Sequence, residues 1–284
     1  MQFVQVRSRA EALAALAEWG DDAQVLAGGT DIMLQCRRGQ VAPGRLLHIE
    51  PLDELRRLEP AQPGARTSIG SLATHRQLST HDSLRTCQPA LAAASGMVGG
   101  WQTQSVGTLG GNIANASPAA DCVAPLLVAE AQVTLASHDG ERHMDLRDFM
   151  VGRRQTALQP HELITAIDME PLPAGVGESY VKVGRRGAMD VAIVGIAARI
   201  GIDEGTVSLA RVAMCSMGPV PLRVPGAEAA LLESTLQAED LDAAAEALVA
   251  AADPIDDARA SARYRIRIVR GLLERAVDQC RMAS

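Results

Sequence analysis

The sequence predicts an α+β chain of two domains, and three observations carry that prediction. Short apolar runs of strand character alternate with helical ones through the first half. The segment Pro171-Leu172-Pro173-Ala174-Gly175-Val176-Gly177 is rich in proline and glycine and is the strongest linker signal in the chain. Beyond it, three strand-like runs are followed by a long helical tail. The division falls at 1–173 and 174–284, and the first domain divides again into sublobes at about 1–55 and 56–173.

Each element has its own signal. Residues 9–19 form an amphipathic helix, with Ala10, Leu13, Leu16 and Ala17 on one face. Residues 23–27 make a strand that enters a glycine-rich loop, Leu26-Ala27-Gly28-Gly29-Thr30-Asp31. Helical character resumes over 32–38, and 46–49 is a second strand, so this unit reads as a small α/β lobe. Thr67–Gly70 opens the second sublobe, a mixed sheet with helices at 74–80 and 89–98. A second glycine-rich loop follows, Gly107-Thr108-Leu109-Gly110-Gly111-Asn112-Ile113-Ala114-Asn115. Residues 131–137 and 163–169 are strands, the first closed by a His138-Asp139-Gly140 turn. After the linker, strands at 180–183, 191–202 and 207–214 form a three-stranded antiparallel sheet. Helices follow at 227–236, 241–252 and 259–280, the last with Tyr264, Ile268, Leu272 and Ala276 along one face.

Composition narrows the function classes. With 284 residues, 47% hydrophobic, the chain can bury a sizeable core. A net charge of −7 and 2% aromatic residues argue against nucleic acid as a partner. No apolar run approaches the roughly 18–20 residues that span a bilayer. Met1-Gln2-Phe3-Val4-Gln5-Val6-Arg7 lacks the apolar region of a secretory signal, so a cytoplasmic location without membrane attachment is expected. Cys36, Cys87, Cys122, Cys215 and Cys280 show no CxxC or Cys/His spacing. They read as thiols in a reducing compartment, and no metal site is expected. Of the 27 basic residues, Lys182 is the only lysine. It is either a chance survivor of an arginine bias or a site that needs a compact ammonium.

The glycine loops carry the chemistry. Adjacent glycines let backbone approach a ligand and turn N–H groups toward an anion. Neither loop has the G-x-G-x-x-G spacing of a Rossmann turn, and no Gly-Lys-Ser/Thr of a P-loop exists. Each alone could be a tight turn at a strand end; the pair suggests a clamp around a diphosphate. The second loop also holds Thr108, Asn112, Asn115 and Ser117. Ser117-Pro118 reads as an N-cap with proline at the first helical position, its helix aiming a positive end at the loop. Asp121, one turn in, could accept ribose hydroxyls or serve helix electrostatics. No catalytic acid–base pair stands out, and the six histidines are scattered.

The motifs AGGTD at 27–31 and TLGGNIANASPAAD at 108–121 resemble the FAD-binding subunit of the molybdenum hydroxylases, the xanthine dehydrogenase and carbon monoxide dehydrogenase family. The likeness continues through Glu162-Leu163-Ile164, the Tyr180 to Ala192 region, Pro254-Ile255-Asp256-Asp257 and Ser261-Ala262-Arg263-Tyr264, nearly the whole chain. It implies a two-lobed FAD-binding domain of the vanillyl-alcohol oxidase type followed by an α+β domain. By position it implies that Ala27, Gly28, Gly29, Thr30, Asp31, Thr108, Gly110, Gly111 and Asn112 grip the diphosphate of a non-covalent FAD. Ser117 and Asp121 match positions near the ADP half, Ile164 an apolar position beside the adenine or flavin, and Lys182 a lysine near the flavin ring. The implied role is electron transfer without substrate chemistry. A large subunit with the molybdenum cofactor and a small subunit with two 2Fe-2S clusters would be partners, in a dimer of heterotrimers. The FAD would pass electrons to NAD, O2 or another acceptor. A self-sufficient flavoprotein oxidoreductase with its own small substrate is the alternative.

The chain departs from the family pattern in places. Gln104 stands where relatives carry an arginine before the second loop. Trp101 could cover the cofactor or fill core, and Val191 replaces an aromatic found in some relatives. The cysteine-rich insertion of some benzoyl-CoA-type reductase subunits is missing.

Overall fold

The computed structural model describes residues 1–58 and 64–283, which fold as three packed units. In the first, strands Gln2–Gln5, Arg45–His48 and Ala23–Leu26 form a parallel sheet in that order. The strand Gln2–Gln5 escapes the sequence pattern because it is an exposed edge with no apolar alternation. Helix Arg9–Trp19 starts at Ser8, whose hydroxyl accepts from the Glu11 N–H at 3.2 Å. It buries Ala12, Leu13, Ala15 and Leu16; Ala10 and Ala17, expected on the inner face, are exposed.

The second unit is a four-stranded sheet ordered Thr67–Gly70, Leu163–Met169, Gln132–Ser137, Gly140–Asp145. Every described pair in it is antiparallel, which corrects the mixed sheet expected here. The unit also holds short helices, among them His75–Thr80, Pro89–Gly96, Trp101–Val106, Leu109–Ala114 and Val123–Val128, of which Leu109–Ala114 packs on strand Leu163–Met169. The first of these helices is fixed by a capping box in which the Thr74 hydroxyl accepts from Gln77 backbone N–H and the Gln77 side-chain Oε1 accepts from Thr74 N–H. Ile69, Leu109, Ile113, Val133 and Phe149 are at the centre of this core, all fully buried.

The helix expected at Ser117-Pro118 does not form there. Ser117 instead turns the chain, its hydroxyl accepting from Ala119 N–H at 3.3 Å, and the helix begins at Val123. Ala116 holds a positive φ of 44°, which turns the chain away from a helix before the serine.

The third unit is an antiparallel meander of Val176–Val183, Val194–Asp203 and Thr206–Cys215, with two-residue Leu222–Arg223 as a fourth strand beyond the three expected. One face carries helices Pro225–Leu231, Ala238–Ala250 and Ala262–Ala283; the other lies on Pro89–Gly96 and Val123–Val128. Burial on both faces explains why Val194–Asp203 reads as an almost unbroken apolar run. Of the two glycines in the expected linker, Gly177 has a packing role. A Cβ on Gly177 would sit 2.0 Å from the Cys280 carbonyl oxygen, so only glycine lets this strand meet the C-terminal helix.

Candidate functional site

The two glycine motifs meet. An atom added at Gly28 as Cβ would lie 1.7 Å from the Val106 carbonyl oxygen, so the first loop rests directly on the backbone that leads into the second. Between them opens a cavity of about 510 Å³, within the range of sites that take small molecules and cofactors. Ala27, Gly28, Gly29, Thr30, Asp31, Thr108, Gly110, Gly111, Asn112 and Ile164 all line it. Ser117, Asp121 and Lys182 do not.

The two motifs offer a ligand different things. Among the described residues no acceptor takes the N–H groups of Gly28, Gly29, Thr30 and Asp31, and Gly29 turns the loop with φ +71°. These N–H groups are available to an anion. The second motif spends its N–H groups internally. Leu109 N–H donates to Ala73, Gly110 to Ser71 at 2.9 Å, Gly111 to the Thr108 hydroxyl at 3.1 Å, and Asn112 to Thr108. It is the capped start of the short helix Leu109–Ala114. Gly110 is required there because a Cβ would press to 2.7 Å on the Ser71 side chain. Its polar contribution to the cavity is side-chain atoms. Asn112 Oδ1 and Ser71 Oγ on the cavity wall are buried without hydrogen-bond partners. Buried orphans of this kind are costly unless a ligand completes them. Free N–H groups, orphaned polar atoms and glycine-tight walls together fit a dinucleotide.

Asp31 caps this arrangement at the first-loop end. Burial raises its carboxyl above the ordinary value, while Arg154 and the Asn115 side chain pull it back. At the far end the cavity is apolar, with Leu163 and Ile164 buried and Glu162 gripped by Arg142 through Nε at 2.6 Å and Nη2 at 2.8 Å. Glu162 lies below its ordinary value: burial raises it, and the Arg142 hydrogen bonds and Gln159 N–H outweigh that.

Sequence reasoning missed His75, which lines the cavity at 2% exposure. Its Nδ1 lies 3.6 Å from Cys122 Sγ, and its backbone N–H donates to the Gly107 carbonyl. No motif marks it; the signal would have been its place at the start of a helix beside the second loop. Burial lowers its pKa to about 4. A group whose folded pKa is depressed below its unfolded 6.5 stabilises the fold above pH 6.5 and loses that contribution as pH falls toward 4. We expect up to about 3 kcal/mol of stability to disappear over that window. Denaturant titrations of parent and His75→Gln should show it: the variant loses this part of the acid limb, and an unchanged slope would refute the assignment.

Asp121 and Lys182 form a second, buried constellation. Lys182 Nζ donates to Asp121 Oδ2 at 2.9 Å and to the Met97 carbonyl at 2.8 Å, and Tyr180 OH donates to Asp121 Oδ1 at 2.7 Å. Burial raises the Asp121 carboxyl, opposed by Lys182 and Tyr180. Asp121 therefore holds the lysine and is committed to it rather than to a helix terminus. Lys182 lines a separate cavity of about 460 Å³ with Trp101, Met189 and Asp190. Trp101 does not fill core: it is 66% exposed with the Arg76 guanidinium 3.9 Å above its ring. Gln104 is buried and donates to the Gly96 carbonyl at 2.8 Å.

Comparison with known proteins bears on the chain as a whole. Residues 1–172 match the family described as FAD binding domain in molybdopterin dehydrogenase, and residues 179–280 match the CO dehydrogenase flavoprotein C-terminal domain. The 6-hydroxypseudooxynicotine dehydrogenase complex subunit alpha of Paenarthrobacter nicotinovorans is 33% identical, across 97% of this chain and 92% of its own. The xanthine dehydrogenase FAD-binding subunit of Escherichia coli O157:H7 is 30% identical, across 97% and 94%. A solved structure of carbon monoxide dehydrogenase from Hydrogenophaga pseudoflava superposes with a TM-score of 0.95 at 30% identity, covering 100% of this chain and 98% of that one. The chain belongs to the family of FAD-binding medium subunits of the molybdenum hydroxylases, oxidoreductases that include the xanthine and carbon monoxide dehydrogenases.

Proposed function

We propose that this chain binds FAD non-covalently in the cavity between its glycine motifs and acts as an electron-transfer subunit. Electrons arrive from 2Fe-2S clusters of a small partner subunit, and a large partner subunit holds the molybdenum cofactor and performs the substrate chemistry. They leave to NAD, O2 or another acceptor. The assembly is a dimer of heterotrimers in the cytoplasm. The flavin, when bound, supplies a centre that takes up an electron pair and releases it to the acceptor. This chain's own residues bind and orient it: the first loop through its free N–H groups, the second through Asn112 Oδ1, the apolar wall through Ile164. The observation that carries the reading is the convergence of both motifs on one cavity whose wall holds unpaired donors and acceptors. Acid extraction of the purified chain after incubation with FAD tests it. Recovery of FAD, with organic-substrate turnover only after partner subunits are added, is expected. No retained flavin, or turnover of an organic substrate by the chain alone, would overturn it.

Lys182 is proposed to tune the flavin's potential, and its ion pair changes the expected result. Lys182→Met leaves Asp121 buried without its cation, so that carboxyl takes up a proton and the site stays near neutral. Asp121→Asn removes the anion and leaves the ammonium uncompensated. Spectroelectrochemical titration should therefore show a raised potential in Asp121→Asn and a smaller, downward change in Lys182→Met. Identical potentials in parent and both variants would remove the pair from the flavin's surroundings.

A further inference from the structure

Among the described residues, Arg154 is the one permanently cationic side chain on the wall of the cavity between the glycine motifs. It comes from the two-stranded hairpin Met150–Gly152 and Gln155–Thr156, well away from both motifs in sequence. The backbone holds it there under strain. Arg154 has φ +57°, a conformation that residues with side chains avoid, and its N–H donates to the carbonyl of Ala116 at 2.9 Å. Ala116 directly follows the second glycine loop, 107–115, and has positive φ itself. The hairpin is thus tied to the end of the second glycine loop, with the arginine on the cavity wall.

The guanidinium's contacts are those of a group awaiting an anion. Nη1 donates to Asn115 Oδ1 at 3.2 Å, an oxygen already taken by Gln35 Nε2 at 3.0 Å from the first lobe. Its charge acts on the Asp31 carboxyl, which it pulls down against burial. The other ionisable groups on the wall give a diphosphate nothing. Glu162 is an anion held by Arg142, and His75 is kept neutral by burial. Gln104, just before the second motif, is turned away to the Gly96 carbonyl and does not line the cavity. A bound dinucleotide would find backbone N–H groups and a single cation.

We propose that Arg154 is the counter-ion of the cofactor's diphosphate, a positioning residue that exchanges Asn115 for phosphate oxygens on binding; the inference rests on the FAD reading above. A guanidinium suits the role because its planar fork matches two phosphate oxygens at once. The hairpin supplies from a distant segment the positive charge that neither glycine motif carries.

The experiment uses the full chain freed of flavin, titrated with FAD by fluorescence and competed with ADP and with adenosine. Arg154→Gln should raise the FAD Kd and the ADP inhibition constant by about 10- to 100-fold, the loss expected for one charged hydrogen bond. Adenosine, which carries no phosphate, should compete as well as with the parent. Arg154→Lys should recover part of the loss, as a point charge without the fork. Equal weakening of ADP and adenosine would show that Arg154 only holds the hairpin, and an unchanged ADP constant would also overturn the proposal. If Arg154→Gln fails to fold, Arg154→Lys decides it by the same ADP-to-adenosine ratio. Failure of the parent itself to bind FAD would overturn the flavin reading, a separate outcome from failure of the arginine.

Discussion

Gly28→Ala should abolish FAD binding. The methyl carbon would fall 1.7 Å from the Val106 carbonyl oxygen and 2.4 Å from its carbon, inside any permissible contact. Neither neighbour is a flexible side chain that could step aside. Either the first loop lifts off the approach to the second motif, which opens the cavity, or the helix Trp101–Val106 shifts. Overpacking against backbone costs at least about 3 kcal/mol where no relaxation path exists. The neighbouring Gly29→Ala makes a useful contrast. Its φ of +71° disfavours a side chain, and the nearest atoms, on Leu26 and Met33, are 3.2 Å away and able to move. That substitution should cost about 1–2 kcal/mol and weaken FAD without eliminating it. Fluorescence titration and thermal melts of both variants check the order. A Gly28→Ala protein that binds FAD like the parent would mean that the two motifs are not in contact.

The contrast shows how much of the site was legible in the sequence. The pair of glycine motifs marked the cavity, and ten of the thirteen residues named from sequence line it. The reason for each glycine was hidden. Gly28 and Gly110 are required by neighbours remote in sequence, Val106 and Ser71, which only tertiary structure brings within reach. The second motif looked like a cradle of N–H groups, yet the Thr108 cap and the carbonyls of Ala73 and Ser71 consume them. Local hydroxyls compete for backbone donors in ways spacing does not reveal.

Asp121 and Lys182 were singled out separately and proved to be one ion pair, joined across a fold contact between the second and third units. His75 and Arg154 carried no motif at all, because a lone histidine at a helix start and one arginine among many look ordinary until the cavity is seen. The strands fared better where burial imposes a pattern. Leu163–Met169 ends where its apolar run ends, whereas edge strand Gln2–Gln5, which buries little, left no trace.

Arg199 and Glu178 should dominate the stability of the contact between the second and third units. They stand directly opposite on adjacent antiparallel strands, and both side chains are fully buried. Arg199 Nε reaches Glu178 Oε2 at 2.7 Å, and Nη2 donates to Gln88 Oε1 at 3.1 Å. Glu178 Oε1 accepts from Ala90 N–H at 3.2 Å, in the first turn of helix Pro89–Gly96, so the third unit caps a helix of the second. Burial pushes the Glu178 carboxyl up and Arg199 pulls it back.

Removing one partner leaves an uncompensated charge in the interior, which costs about 3–5 kcal/mol. Arg199→Met should therefore lower Tm by roughly 6–15 °C in a chain of this size. The loss should also depend on pH in a known direction. Without Arg199 the native Glu178 pKa rises further above its unfolded value, so the native state holds a proton that the unfolded state releases. That contribution is intact below the ordinary carboxylate range and is lost as pH rises through the raised pKa, making the variant least stable, relative to the parent, toward neutral pH. Adding Glu178→Leu to Arg199→Met removes the buried charge altogether. The double variant should regain part of the Tm and lose the extra pH dependence. Equal, pH-independent losses in single and double variants would show that packing volume, not the ion pair, holds the two units together.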